Sequence, residues 1–463
     1  MNRGEFSQIL AVVTGTIGAI TDGMQYGWTA PVIPILQRND TPIAITHEDI
    51  VWLENAYMLG GLAGLGVTIF IVDKFGRKMS ILMAAVLHLI AWVLIPVAST
   101  VGVLFAAKFI AGLAGDVGFV AAPMYIGEIA DKRIRGFLGS MIVIMMMLGI
   151  LIIYVVAPYV SLAISSSVGA AIVTFQLMTF SFMPESPYYL IVKGKHRKAL
   201  QSLQRLRARD DVHKELEEIR LAVERQQSEK GRPIDLLKIK SNRKALLIVT
   251  SLNAFQHFSS ISIMLMNVHS ILGDGYFSAN TSAIIVSVIM LVACMAGSLI
   301  VDRFGRKVLL ISSSVLTGIS LFILSTYFAV ENAGMEVTEF NWIPLASVLL
   351  YSVAFKCGLG MVPLVSTGEL FPTSVKAMGM TLSDAFYVIF AIISINIYQG
   401  LTDLYGKHVP FYIFAASCFL AALFVYFYIP ETKGKTLEEI QFILKGESFD
   451  RSKRQYEMVA VSS

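Results

Sequence analysis

Twelve apolar runs, each near the ~20 residues a helix needs to cross a hydrocarbon layer, dominate this chain of 463 residues. They fall near 8–31, 50–72, 79–97, 101–127, 136–158 and 161–183, and again near 245–272, 279–301, 308–330, 342–368, 377–400 and 409–429. Inside a bilayer no water satisfies a free backbone N–H or C=O, so runs of this length are expected to be helices. Only 15% of the residues are charged, where soluble domains carry roughly 25%. The expected fold class is an all-α integral membrane protein with twelve transmembrane helices. The short polar start, MNRGEFSQ, leads into a run longer than a signal-peptide core, so no cleaved leader is expected.

Basic residues set an orientation. If the spans alternate, 33 of the 37 Lys and Arg fall on one side, 16 of them within 184–244. Positively charged loops stay inside, which places both termini and that central segment in the cytoplasm. The sequons at Asn39 and Asn280 then face outward as candidate glycosylation sites. Cys294, Cys357 and Cys418 lie far apart in apolar runs and read as buried small hydrophobes, with neither disulfide nor metal cluster. Amphipathic stretches such as LQSLQRLRA in the central segment read as short solvated helices rather than a nucleic-acid site.

The chain also repeats itself. VDKFGRK (72–78) returns as VDRFGRK (301–307), GEIADKRIRG (127–136) as GELFPTSVKA (368–377), and PESP (184–187) as PETK (430–433). Two six-span halves, 1–183 and 245–429, are therefore expected. A linker, 184–244, joins them, and a tail, 430–463, follows. The repeated loops put Asp73, Arg77, Glu128, Arg135 and Glu185 at span ends of the first half. Asp302, Arg306, Glu369, Lys376 and Glu431 take the matching places in the second. Solvated loops would account for the sign bias but not for acid and base standing seven apart in both halves.

In this order, the motifs resemble the major facilitator superfamily and its sugar porter family. GWTAPVIPIL (27–36) is most similar to the insect facilitated trehalose transporters. The resemblance implies two pseudo-symmetric halves and alternating access. It also implies that the ten loop charges pair when the cytoplasmic gate is shut and part when it opens. Lys376 stands where arginine is usual, and lysine lacks the bidentate fork.

The resemblance places a substrate site at mid-membrane between the halves. Span 7 of sugar porters carries a pattern like QQxSGxN. Here Gln256 and Ser259 keep it, while His257, Ser260 and Ser262 replace a glutamine, the glycine and the asparagine. On one continuous helix Gln256, Ser260 and Asn267 would share a face. Val143, Met290, Met361 and Leu364 stand where other site positions of the family are polar, proline or tryptophan. Thr29 occupies the place where proton-coupled relatives carry an aspartate. An ionisable group at mid-membrane is costly and so a functional candidate: Asp22, Lys108, Asp116, Lys356 and Asp384 all lie within runs. Asp22, Lys108 and Asp116 form either an ion-pair lattice or a proton relay. The substrate candidates are Gln256, His257, Ser259, Ser260, Asn267, Thr29 and Asp384. His88 and His269 read as packing and interface residues.

The function this implies is transport of a small solute, a sugar or polyol, at the plasma membrane by a monomer. Uniport is the simpler mode, and proton symport stays open. A sugar-porter-like receptor, or a carrier of a non-sugar organic solute, is the alternative. No nucleophile–base constellation or phosphate loop marks an enzyme, and no cofactor or nucleic-acid partner is implied.

Overall fold

The computed structural model describes residues 3–38, 43–131, 134–228, 232, 234–300, 304–363, 366, 370–372, 375–433, 435 and 437–446. Every regular element among them is helical. The first half holds α1 (Arg3–Tyr26), α2 (Thr29–Leu36), α3 (His47–Phe75), α4 (Arg77–Val97), α5 (Val101–Ile129), α6 (Arg135–Val156) and α7 (Leu162–Phe180). The linker holds α8 (Pro187–Val192), α9 (His196–Arg207), α10 (His213–Ser228) and α11 (Asp235–Lys238). The second half holds α12 (Lys240–His257), α13 (Ile261–Leu272), α14 (Ala279–Ile300), α15 (Arg306–Asn332), α16 (Ile343–Cys357), α17 (Lys376–Tyr405) and α18 (His408–Tyr428), followed by α19 (Leu437–Lys445).

Eleven stretches among the described residues are long and apolar enough to cross a membrane, α12 and α13 together making one. The twelfth span is α1 with α2. Its apolarity is diluted by buried Thr14, Thr16, Thr21, Asp22 and Gln25. The threonines are satisfied locally: Thr14 Oγ1 donates to Leu10 O (2.7 Å) and Thr16 Oγ1 to Val12 O (2.8 Å), the back-bonding open to a hydroxyl inside a helix.

Three spans expected as continuous runs are interrupted. Span 1 breaks at Gly27–Trp28, four residues before Pro31, whose ring removes a donor and crowds the carbonyl one turn back. Span 10 stops at Cys357, where Gly358 brings the chain against α15. Ser313 Oγ there donates to Ala354 O (2.7 Å) and accepts from Leu359 N (2.9 Å). Span 7 breaks at Phe258–Ser260, with Ser260 in the left-handed region at φ 73°. The shared face drawn for one continuous helix therefore ends at Ser260, and Gln256 and Asn267 belong to different helices.

Close packing of the first half depends on small residues. A Cβ at Gly60 or Gly112 would collide with the backbone of the facing helix, α5 or α3. Gly23 and Gly149 do the same for α1 against α6. Small residues at such crossings let membrane helices approach and gain dispersion contacts. The linker helices build their own apolar core, with Leu190, Leu203, Val212, Ile219 and Val223 buried together. Arg207 fastens this core to the first half, donating to Ile129 O (2.9 Å) and pairing with Glu215 (2.7 Å) and Asp131 (3.4 Å). The side of the bundle carrying these helices is called the linker face below.

Candidate functional site

Where α1–α2 and α12–α13 break, they meet across the two halves. Tyr26 OH and Ser262 Oγ share a hydrogen bond of 2.9 Å, and Ser262 Oγ lies 3.0 Å from His257 Nδ1. The His257 ring stands edge-on to Tyr387 of α17, centroids 4.1 Å apart. Thr29 Oγ1 reaches Met266 O (3.4 Å), and Tyr154 OH donates to Leu265 O. These two bonds tie α13 of the second half to α2 and α6 of the first.

The sequence-derived substrate candidates separate here. His257, Ser259, Ser260 and Thr29 are fully buried, Gln256 and Asn267 are half-buried, and Asp384 is exposed. Ser259 Oγ turns back to Gln256 O (2.6 Å). Among the described residues, His257 Nε2 and Ser260 Oγ are buried without a hydrogen-bond partner. His269 packs edge-on against Tyr154 at 5.3 Å.

Beside this seam the first half holds a buried ionic cluster. Lys108 Nζ donates to Gln25 O and lies over the Trp28 and Tyr57 rings at 5.3 and 5.0 Å. Its acidic neighbours are Asp22 and Glu54. Tyr57 OH donates to Asp22 Oδ1 (2.6 Å), and His88 Nε2 stands 3.6 Å from the same oxygen. Asp22 is level with Gly115, whose Cβ would strike its carboxylate, and the next residue, Asp116, accepts from Thr68 Oγ1 (2.6 Å). Lys356 lies apart from this cluster in the second half, near Cys294 and over the Phe355 ring at 5.8 Å.

Glu54 completes the cluster and ties it to the other half. Its Oε2 accepts from Gln399 Nε2 (3.3 Å), with Asn267 adjacent. Asn55 and Asn396 exchange amide hydrogen bonds of 3.3 and 3.0 Å. Further out, His47 Nε2 meets both oxygens of Asp403 (2.8 and 2.9 Å). Together these form a polar ladder between α3 and α17 on the face opposite the linker.

On the linker face the described pairs lie inside one half. Arg77 donates from Nε and Nη2 to Glu128 Oε1 (2.9 and 2.7 Å), and Ser186 Oγ donates to Glu128 Oε2. Glu185 caps the start of α4, accepting from Lys78 N (3.0 Å) and Ser186 N (2.8 Å). Glu431 repeats this at the start of α15, accepting from Arg306 N (2.9 Å) and Lys307 N (3.1 Å). The surroundings of the two carboxylates shift their pKa values in opposite directions. Burial pushes Glu185 up. Burial also opposes the charge of Glu431, yet four backbone N–H groups hold it below its usual range. Asp73 is exposed. Asp302, Glu369 and the Arg135 side chain lie outside the described residues, and so does Asn39. Asn280 sits half-buried in the first turn of α14, with the sequon hydroxyl of Ser282 buried.

Residues 12–444 match the family described as Sugar (and other) transporter. The chain belongs to this sugar transporter family. It is 31% identical over 449 residues to a facilitated trehalose transporter of Polypedilum vanderplanki, covering 95% of this chain and 88% of that one. It is 30% identical over 447 residues to the facilitated trehalose transporter of Drosophila virilis, again over 95% of this chain, but spans only about half (49%) of that relative. Among solved structures, the inward-open xylose transporter XylE from E. coli superposes with a TM-score of 0.77 at 22% identity, covering 93% of this chain and 98% of that one. The fold is thus the major facilitator fold, two pseudo-symmetric halves of six spans, and the relatives are transporters rather than enzymes.

Within this sugar transporter frame, sequence reasoning missed Glu54, Asn55, Asn396 and Gln399. Glu54 carried a usable signal, a lone acid inside the 50–72 run, but it follows Glu48 and Asp49 closely enough to pass for a flank. The two asparagines gave no signal, because their value lies in facing each other 341 positions apart.

Proposed function

We propose that this protein moves a small carbohydrate, a trehalose, hexose or polyol, across the plasma membrane by alternating access. The halves 1–183 and 245–429 rock about the central seam, with the linker face in the cytoplasm. The observation that carries this reading is the seam of broken spans. Tyr26 and Ser262 bond across it at 2.9 Å, and Gln256 supplies a half-buried amide two residues before the break in span 7. A sugar hydroxyl that leaves water needs such partners, because an unpaired polar group costs about 1–3 kcal/mol. Facilitated uniport is the favoured mode, in keeping with the facilitated trehalose transporters the chain is similar to. The polar ladder between α3 and α17 then closes the outward side, and the charges at Arg77, Glu128, Glu185, Arg306 and Glu431 brace the cytoplasmic side.

A second reading, proton symport, is favoured by the buried Asp22, Lys108 and Glu54 with the half-buried Asp116 beside them. One structural relative, XylE, is a proton:xylose symporter.

Radiotracer uptake in oocytes with trehalose, hexoses and polyols, with and without a pH gradient, tests both readings. Saturable uptake of a carbohydrate at a rate independent of outside pH supports uniport. Uptake rising steeply with external acidity supports symport. No saturable carbohydrate uptake in the panel overturns the substrate assignment.

A further inference from the structure

Where the linker enters the second half, bases and uncovered apolar side chains share one surface. Ile234, Leu237 and Ile239 are 47%, 56% and 44% exposed, and Lys238, Lys240, Arg243 and Lys244 are exposed among them. The corner has a fixed shape. Leu236 of α11 is buried, Asn242 Nδ2 of α12 donates to Asp235 O (3.2 Å), and Asp235 Oδ2 accepts from Arg232 N (2.7 Å). On α12, Arg243 and Lys244 stand one turn beyond Lys240, and one turn further Leu247 is 61% exposed. A stripe therefore runs from basic to apolar down the open side of α12, while Ala245, Ile248 and Val249 bury the other side.

No acid of the chain answers these bases. Asp235 is the sole acidic residue from 232 to 273. The linker acids Glu215, Glu217 and Glu224 pair with Arg207, Arg209 and Arg220. Among the described residues no ion pair reaches the four bases. They repel one another and the positive end of α12, whose first turn holds no acid. The internal repeat does not demand this arrangement. The matching first span of the first half, α1, starts with Arg3 and Glu5, and α9 covers that start, where a Cβ at Gly4 would meet Arg207 O.

We infer that the corner of α11 and α12 is a docking surface for acidic glycerophospholipid of the bilayer. Its bases meet the anionic headgroups, and Ile234, Leu237 and Ile239 enter the acyl boundary beneath them. Interfacial segments are built this way, with Lys and Arg level with the headgroups and apolar side chains below. Each base close to an acidic membrane surface adds about a fivefold gain, which a zwitterionic lipid does not supply. The inference rests on the cytoplasmic placement of the linker face proposed above, because acidic lipid is concentrated in that leaflet. A lipid held here fixes one end of the helix that carries Gln256 and His257 to the seam.

Quenching by brominated lipid tests the surface. On a background lacking the native cysteines, Leu237→Cys carries a fluorophore, and the purified full chain is placed in nanodiscs of phosphatidylcholine. Brominated phosphatidylserine, as a minor fraction of the lipid, should quench the label several-fold more than brominated phosphatidylcholine at the same fraction. The excess should vanish when Lys238→Gln, Lys240→Gln, Arg243→Gln and Lys244→Gln are combined, and Arg243→Gln with Lys244→Gln should remove most of it. It should also shrink as salt rises from about 0.1 M to about 1 M, where the screening length falls from about 10 Å to about 3 Å. Equal quenching by the two lipids would overturn the proposal, as would an excess that survives the quadruple variant. So would an equal excess at a label on Phe6→Cys, an exposed position near the start of α1, which would mark acidic lipid gathered around the whole protein. The disc presents both faces and the readout needs no sugar. Failure of the proposed sidedness or substrate and failure of this surface are therefore separate results.

Discussion

Asn55 of α3 and Asn396 of α17 exchange two amide hydrogen bonds across the boundary between the halves, at 3.3 and 3.0 Å. Each amide uses one donor and one acceptor on the other, so neither residue alone preserves the pair. One helical turn further out along α17, Gln399 bonds Glu54, and His47 and Asp403 close the rim. The ladder adds directional bonds to the packing of α3 on α17. Under the alternating access proposed above, this is the contact that forms and parts.

Asn55→Ala and Asn396→Ala should each loosen that face, and the double variant should cost less than the sum. Paired hydrogen bonds of this kind couple by about 1 kcal/mol. On a background lacking the native cysteines, Met266→Cys places a reporter at a buried position of α13. Labelling by a membrane-impermeant thiol reagent added from the ladder side should be faster in both asparagine variants. Unchanged labelling would sink the gate assignment.

Gly76 and Gly305 occupy matching positions in the repeated loop motif, yet they answer to different constraints. Gly76 has φ 97°, and a Cβ there would stand 2.6 Å from both Glu185 Oε2 and the Tyr189 ring. Gly305 has an ordinary φ of −66°, and the atoms nearest a Cβ there, among the described residues, are those of the Glu431 carboxylate. Gly305→Ala should therefore be substantially rescued by Glu431→Ala. Gly76→Ala should not be rescued by Glu185→Ala, because left-handed strain of about 1 kcal/mol or more persists whatever the neighbour. Melting temperatures of the four single and two double variants in detergent decide the point.

The architecture was legible because its causes are local: run length and apolarity specify spans, and a repeated loop sequence specifies a repeated half. Asp22, Lys108 and Asp116 were legible for the same reason, as charges in runs that contain few. The break at Ser260 was not. Neither glycine nor proline marks the turn, and a serine with φ 73° is held there by tertiary packing rather than by its own preference. The Asn55–Asn396 pair was hidden because a polar residue in a span shows its burial but not its partner. The ten loop charges were placed by motif; where they pair depends on helix termini. Glu185 and Glu431 illustrate this by binding backbone N–H groups.

Ser260→Gly should raise stability by about 1 kcal/mol, since glycine adopts the left-handed region without a Cβ penalty and the change removes a buried hydroxyl that lacks a partner. Ser262→Ala should do the opposite, because it leaves both Tyr26 OH and His257 Nδ1 without their shared oxygen. A melting curve in which Ser260→Gly is the less stable of the two would contradict this reading of span 7.

Lys108→Met should destabilise by about 3 kcal/mol or more, the scale for leaving buried charges unpaired, because Lys108 is the cation between Asp22 and Glu54. Adding Glu54→Gln should recover part of the loss. If the double variant melts no higher than Lys108→Met, the two residues are not energetically linked. The donation from Lys108 Nζ to Gln25 O would then be the dominant role.

The two capping glutamates should respond to acid with opposite signs. Glu185 has its folded-state pKa raised by burial. Protonation therefore favours the fold, and that contribution fades as pH rises through the raised value. Glu431 is lowered: burial opposes its charge, but backbone N–H groups outweigh it. Its contribution is present above the ordinary carboxylate range and lost as pH falls through the depressed value. At neutral pH Glu185→Gln should be as stable as the parent or more so, with the difference shrinking on acidification toward about pH 4. Glu431→Gln should be less stable than its parent at neutral pH, with that deficit closing only in stronger acid. Thermal melts of both variants across this range provide the measurement. Parallel pH profiles would contradict the assignment of burial as the dominant influence on Glu185 and backbone capping on Glu431.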